Sequence, residues 1–336
     1  MQERATSIGP SLDPTSALGF PAFNEVTSLQ SVAHLFGTTK KRCGIYFLAF
    51  HGGLFYVGQA VDVVRRFSQH RKIHDDIVGF SFIPVPKSEL DAIEKSLIFK
   101  AESIGLKITN AVHVTSIVGD TDFDLVVPTA EQNDWLCAND RAVVFESVGP
   151  KIVLPESQKV RYAKQISRFG TQPLSQRALA LFKQYLYNCV PAPRRTEYSF
   201  WSVSCMPSGS RNAWPRLLCV NAALMELFVV GWERKNSEQL WSFVNVAEDV
   251  LIAHWPSAKK LMRTFPFLQI ERRDYRDAGQ HQLTLVCEHG ASMEQLLADP
   301  GISKAAATLA LRVMRKRATI YCKYHCPQLA DLALAA

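Results

Sequence analysis

The amino-acid sequence predicts an α+β protein: a small β-β-α-β-α unit with a three-stranded sheet, a basic helical connector, and a second α+β domain. Three observations support this. Two strand-like runs, Cys43–Phe50 and Leu54–Gly58, are rich in aromatic and branched residues and flank His51-Gly52-Gly53, which suits a hairpin turn. Two segments with helical spacing then sit on either side of one further strand. Finally, residues 151–216 hold 11 basic and 2 acidic side chains, a net +9 in a chain whose total is +7. The expected organisation is a lead-in over 1–40, a first domain over 41–120, the connector over 121–195 and a last domain over 196–336.

Composition narrows the class. With 336 residues and 47% hydrophobic content, the chain can bury real cores, which argues against a disordered protein. Met1–Pro21 lacks a basic stretch followed by an apolar core, so no signal peptide is expected. The most apolar run, Leu217–Trp232, is interrupted by Asn221 and Glu226 and is too short to span a bilayer. Eight scattered cysteines without a regular framework read as reduced thiols. The expectation is a cytoplasmic protein without membrane contact.

Residues 1–24 are rich in Ser, Pro, Thr and Gly and read as a loose lead-in. Val26, Leu29, Val32, Ala33 and Phe36 fall at helical spacing, which predicts a helix over Asn24–Phe36. Lys40-Lys41-Arg42 precedes the first strand and reads as a solvated edge. After the hairpin, Asp62 is a good N-cap for a helix to Lys72, with Val63, Val64 and Phe67 inward. Arg66 and His70, four apart, project from one side of it. Ile77–Val85 reads as the third strand, stopped by Pro84 and Pro86. Ser88-Glu89-Leu90-Asp91 reads as a capping box opening a second helix to Ile104, with Gly105 as its C-cap. Leu90, Ile93, Leu97, Ile98, Ala101 and Ile104 form its apolar stripe, and Glu94 falls inside it. A carboxylate on such a face is costly unless it is paired or holds a cation.

Further on, Pro128 opens a short helix through Trp135 and Leu136. Ser157–Phe169 reads as a helix with an apolar edge (Tyr162, Ile166, Phe169) and a basic one (Arg161, Lys164, Arg168). Pro173–Asn188 reads as another helix, and Val190–Arg195, with two prolines and two arginines, as a linker. Beyond Thr196, strand-like runs (Tyr198–Cys205, Leu217–Val220, Leu268–Glu271, Gln282–Cys287) alternate with helical ones (Glu294–Ala298, Ser303–Arg317). No internal repeat is present.

The ordered set Gly44-Ile45-Tyr46, Tyr56-Val57-Gly58, Arg66, His70, Glu94 and Asn110 resembles the GIY-YIG endonuclease family over Cys43–Val112, about a fifth of the chain. Singly, these residues have plain readings: half-buried strand aromatics, a surface histidine, a turn asparagine. Their joint order carries the resemblance. It implies a metal-dependent endonuclease in which Tyr46 deprotonates or orients the attacking water. That role needs a phenol whose pKa is lowered by nearby positive charge, with His70 assisting. Arg66 would clamp the scissile phosphate, with Arg65 a weaker substrate contact. Glu94 would bind magnesium, with manganese as a substitute. Tyr56 would hold phosphate or water, Gly58 would permit close backbone approach, and Asn110 would brace the site. DNA is the expected substrate and partner, with RNA the alternative polymer, and Arg161, Lys164 and Arg168 form an expected DNA-tracking edge. No protein partner is indicated. The rival reading is a non-catalytic nucleic-acid-binding or regulatory protein that reuses the fold.

A second constellation, Cys287, His289, Cys322, His325 and Cys326, has ligand-type side chains. Cys322-x₃-Cys326 fits zinc spacing loosely and Cys287-x-His289 is too tight, so buried thiols are the expected reading.

Overall fold

The computed structural model describes residues 13–37, 41–138, 141, 153, 155–207, 215–233, 236–288 and 290–335. The chain divides into two compact units, Met1–Val118 and Gly119–Ala336. Each is mixed α+β with an antiparallel sheet.

The first unit runs α1 (Pro14–Leu18), β1 (Asn24–Glu25), β2 (Gly44–Phe50), β3 (Phe55–Ala60), α2 (Val63–Arg71), β4 (Ile77–Pro84) and α3 (Leu90–Ser103). The strand order is β1-β4-β2-β3, so β2 is central and β3 lies at an edge. β1 adds a fourth, two-residue strand to the three expected. It also replaces the helix expected over Asn24–Phe36: the Val26 N–H donates to the Val78 carbonyl, and a 3₁₀ turn at Ala33–Leu35 follows. Val26 and Val32 are fully buried against the sheet, so the apolar spacing that suggested a helix serves a pairing segment. Gly52 and Gly53 both take positive φ, as a tight β2–β3 turn requires. Asp62 caps α2, accepting from the Val64 and Arg65 N–H groups. The capping box expected at Ser88 is not formed. A 3₁₀ turn at Lys87–Glu89 runs into α3, whose N-cap Glu89 makes no side-chain cap bond.

Alternation along the strands gives the sheet two different faces. Tyr46, Leu48 and Phe50 pack with Val63 and Phe67 of α2. Ile45, Phe47 and Val57 pack with Leu90, Leu97, Ile98 and Ala101 of α3.

The second unit begins with α4 (Thr129–Cys137), α5 (Glu156–Gly170), α6 (Ser175–Cys189) and α7 (Pro193–Thr196). Strands β5 (Trp201–Cys205), β6 (Arg216–Ala222), β7 (Met225–Glu233) and β8 (Asn236–Ala247) follow. The chain continues through α8 (Glu248–His254), α9 (Ala258–Thr264), β9 (Leu268–Glu271), β10 (Gln282–Cys287), α10 (Gly290–Ala298), α11 (Pro300–Lys316) and α12 (Pro327–Leu334). The six strands order β5-β6-β7-β8-β10-β9. α11 is buried nearly all round, because Ala305, Ala306, Ala307 and Ala310 let neighbours approach closely.

Two expectations change here. The segment expected as a connector belongs to the same compact unit as residues 196–336, and Tyr185 of α6 stacks on Phe228 of β7 at 4.7 Å between centroids. Val190–Arg195 is not a linker: Val190 and Pro193 are buried, the Trp201 indole donates to the Pro193 carbonyl, and Arg194 pairs with Glu197. Among the described residues, no helix is long and apolar enough to cross a membrane.

Candidate active site

The β2–β3 hairpin delivers two phenols to the α2 face. Tyr46 lies opposite Gly58 and Leu48 opposite Tyr56, so the tyrosines are diagonal neighbours with ring centroids 5.9 Å apart. A Cβ on Gly58 would sit 2.4 Å from the Tyr46 hydroxyl and 2.5 Å from a Tyr56 ring carbon. Only glycine leaves room for the Tyr46 hydroxyl to lie across β3 at this point.

α2 then supplies two groups to that hydroxyl. His70 Nε2 lies 2.7 Å from it, and Arg66 Nε donates to it at 3.3 Å. The four-residue spacing of Arg66 and His70 puts both on one side of α2, as the sequence predicts. Tyr56 closes the group, its ring 5.0 Å from that of His70. Arg65, one position round the helix, is exposed.

Protonation in this cluster differs from expectation. Burial pushes the Tyr46 phenol well above its ordinary pKa, and Tyr56 adds to the effect. The Arg66 hydrogen bond and charge oppose this without overcoming it. Tyr46 is therefore a neutral donor, not the acidified phenol that the resemblance implies. Burial first, then the charges of Arg66 and His74, lower His70 to about 4. A neutral imidazole at neutral pH accepts at Nε2 when its proton sits on Nδ1, so the Tyr46 O–H donates to His70.

Glu94 and Asn110 take a different position, along the free edge of β3. An edge strand needs partners for its outward N–H and C=O groups. Phe55 finds them in the Lys107 carbonyl and the Thr109 N–H. At Val57 the Asn110 side chain does both jobs, accepting from the N–H at 3.1 Å and donating to the carbonyl at 2.6 Å. At Gln59 the Glu94 carboxylate accepts from the N–H at 3.1 Å. Asn110 and Glu94 thus bracket Gly58 from the edge, while the tyrosine cluster covers it from the face. The bracing expected of Asn110 takes the form of completing this strand.

Gln59 and Asp91 are participants that the sequence reading missed. The Gln59 side-chain amide donates to Glu94 at 2.9 Å and to Asp91 at 2.5 Å. Two carboxylates one helical turn apart on α3 are thereby gathered on one nitrogen. The available signals were the i, i+3 spacing of Asp91 and Glu94 and the placement of Gln59 on the α3 face. All-oxygen ligands on a like-charged pair suit magnesium, which keeps waters and takes one or two carboxylates plus phosphate oxygens. Glu94 and Asp91 are the side chains that could hold such an ion, once the Gln59 donors that now occupy them give way. Among the described residues, no group of three or more His, Cys, Asp or Glu side chains converges as a ready metal cage.

Comparison with protein-family models, with curated proteins and with solved structures returned no match in any of the three.

Of the expected DNA-tracking residues, Lys164 and Arg168 are exposed on α5, and the Arg161 side chain lies outside the described residues. In the second constellation, Cys287 and Cys326 are buried free thiols as expected, Cys322 is a free thiol only half-buried, and His289 lies outside the described residues. His325 accepts from the Val203 N–H at Nδ1 and lies 2.9 Å from Glu197 at Nε2, so both ring nitrogens are engaged within the protein.

Proposed function

We propose that the chain is a metal-dependent endonuclease that hydrolyses phosphodiester bonds, with DNA as its substrate and the second unit giving specificity or regulation. The supporting observation is the Tyr46 hydroxyl held between the neutral imidazole of His70 and the guanidinium of Arg66. The resemblance of Cys43–Val112 to GIY-YIG endonucleases supports the same reading.

The chemistry follows from the protonation states. A water placed against the Tyr46 oxygen passes its proton to that oxygen as Tyr46 passes its own to His70 Nε2. The phenol ends neutral, the imidazole ends charged, and no free phenolate forms. Relay through a group with a raised pKa is efficient only if the proton leaves as another arrives, which the 2.7 Å contact permits. Arg66, beside the same oxygen, offers a planar fork to the phosphate on which negative charge grows. Glu94 and Asp91 would hold a magnesium or manganese ion, which would neutralise phosphoryl charge and stabilise the leaving oxygen. Tyr56 lines the cluster beside His70.

One observation favours the rival, non-catalytic reading: both Glu94 oxygens accept from Gln59, which suits a carboxylate that only serves the strand edge. Supercoiled plasmid incubated with magnesium, manganese or chelator separates the two. The nuclease reading expects nicked and linear products only with the metals, lost in Glu94→Ala and Arg66→Ala variants that keep their fold. Intact plasmid under every condition, with binding retained, establishes the rival.

A further inference from the structure

The second unit holds a polar cleft of about 300 Å³ over β6 and β7, at the lower end of small-ligand sites. Its walls are phenol rings: Tyr162 from α5, and Tyr321 and Tyr324 from the 3₁₀ turn Ile320–Tyr324. Tyr324 is 46% exposed, with the Lys323 ammonium over its ring 5.0 Å from the centroid, so a base would stack on the face opposite that lysine. The floor is hydrogen-bonding. Arg216 and Glu226 form an ion pair across β6 and β7, and the Tyr275 hydroxyl donates to Glu226 at 3.3 Å. Asn221, buried on the same floor, donates to the Cys219 carbonyl at 3.2 Å. Its Oδ1 is met by the Cys219 thiol at 3.3 Å, a weak donor that leaves acceptor capacity for a stronger one.

Flat aromatic walls over a floor that offers donors and acceptors in balance do not suit a simple anion or a simple cation. They suit a planar heterocycle with a mixed hydrogen-bonding edge. The surroundings supply the second half of a nucleotide. Arg168 of α5, exposed and one turn after the cleft residue Gln165, carries its charge close to Cys205 of the lining.

We propose that this cleft receives one unpaired nucleobase of a nucleic-acid strand, stacked on Tyr324 and read by Asn221, Arg216 and Glu226, while Arg168 holds the adjoining phosphate. The proposal deepens the nucleic-acid reading but stands on residues that play no part in the cutting chemistry.

The test titrates the full chain by calorimetry with the four deoxynucleoside monophosphates and with deoxyribose 5-phosphate as a control lacking the base. At least one monophosphate is expected to bind about 10-fold or more tighter than the control. Tyr324→Ala, at an exposed ring, is expected to melt as the parent does and to lose that advantage. Arg168→Ala is expected to weaken the monophosphate while leaving the matching deoxynucleoside unaffected. Equal binding of control and monophosphates, or undiminished base binding by Tyr324→Ala, overturns the proposal. Plasmid cut without base binding defeats the cleft alone, and base binding with plasmid intact defeats the nuclease reading alone.

Discussion

His70 in the first unit and His325 in the second are both withdrawn from water, yet their partners differ in kind. His325 is locked: a backbone N–H fills Nδ1, and Glu197 faces Nε2 with its other oxygen on Arg194 at 3.0 Å. That network is buried and fixes β5 to the segment before α12. His70 is half-buried and meets a neutral phenol whose proton can move, next to a cation that is itself exposed. A histidine's partners, more than its burial, decide whether it is a brace or a base.

The largest expected effect is on rate. Under the proposed relay His70→Ala removes the proton acceptor, and plasmid cleavage is expected to fall by roughly 10²–10⁴-fold while thermal melting changes little. His325→Ala is expected to do the reverse, lowering the melting temperature while the folded fraction cuts at the parental rate. A single-turnover assay alongside a melt reads both, and the contrast fails if the two variants behave alike.

Next comes stability within the locked network. Glu197→Ala leaves His325 Nε2 without its buried partner and leaves Arg194 with Asp331 alone, and the expected loss is about 3 kcal/mol by denaturant unfolding. A loss under 1 kcal/mol would mean that the network adds no more than an exposed ion pair. Smaller again is Gly58→Ala, where the added methyl must displace the Tyr46 hydroxyl. The expected cost is about 1–3 kcal/mol, with cleavage impaired because the Tyr46–His70 contact opens. A crystal structure of the variant with that contact still near 2.7 Å would contradict the steric argument.

Much of the first unit was legible because its signals are local. A glycine-rich turn between aromatic runs, an aspartate cap and a four-residue Arg–His spacing each dictate geometry within one or two turns of chain. The helix expected over Asn24–Phe36 failed because Val26 pairs with Val78, a partner 52 positions away that local periodicity cannot see. Strand β8 was missed because core residues such as Val244 and Val246 alternate with Phe243 and Asn245 on the other face, which blurs the polar-apolar pattern. Glu94 was singled out as a carboxylate on an apolar face. That it would sit at the edge of β3, held by Gln59, depends on strand order, which no local pattern encodes. The protonation of Tyr46 was misjudged for a related reason. Positive charge beside it was readable from spacing, but the depth of burial that outweighs that charge was not.

The smallest expected effect is a rate that hardly changes. An ordinary imidazole with a pKa of 6.5 would lose its accepting form about 25-fold between pH 7 and pH 5. Burial and the charges of Arg66 and His74 hold His70 at about 4, so it stays mostly neutral across that range. kcat/KM, which reports the free protein, is expected to change less than about 3-fold from pH 7 to pH 5 and to fall only as pH nears 4. The stability consequence has a definite sign. The unfolded chain binds more protons than the folded one between 6.5 and about 4, so this contribution is complete above 6.5 and is lost as pH drops through that window. Melting temperatures should therefore decline over a range in which the rate is nearly flat, and His70→Gln should flatten that part of the decline. A rate that instead tracks an ionisation near 6.5 would mean that His70 in solution is open to water, and the neutral relay through Tyr46 would be untenable.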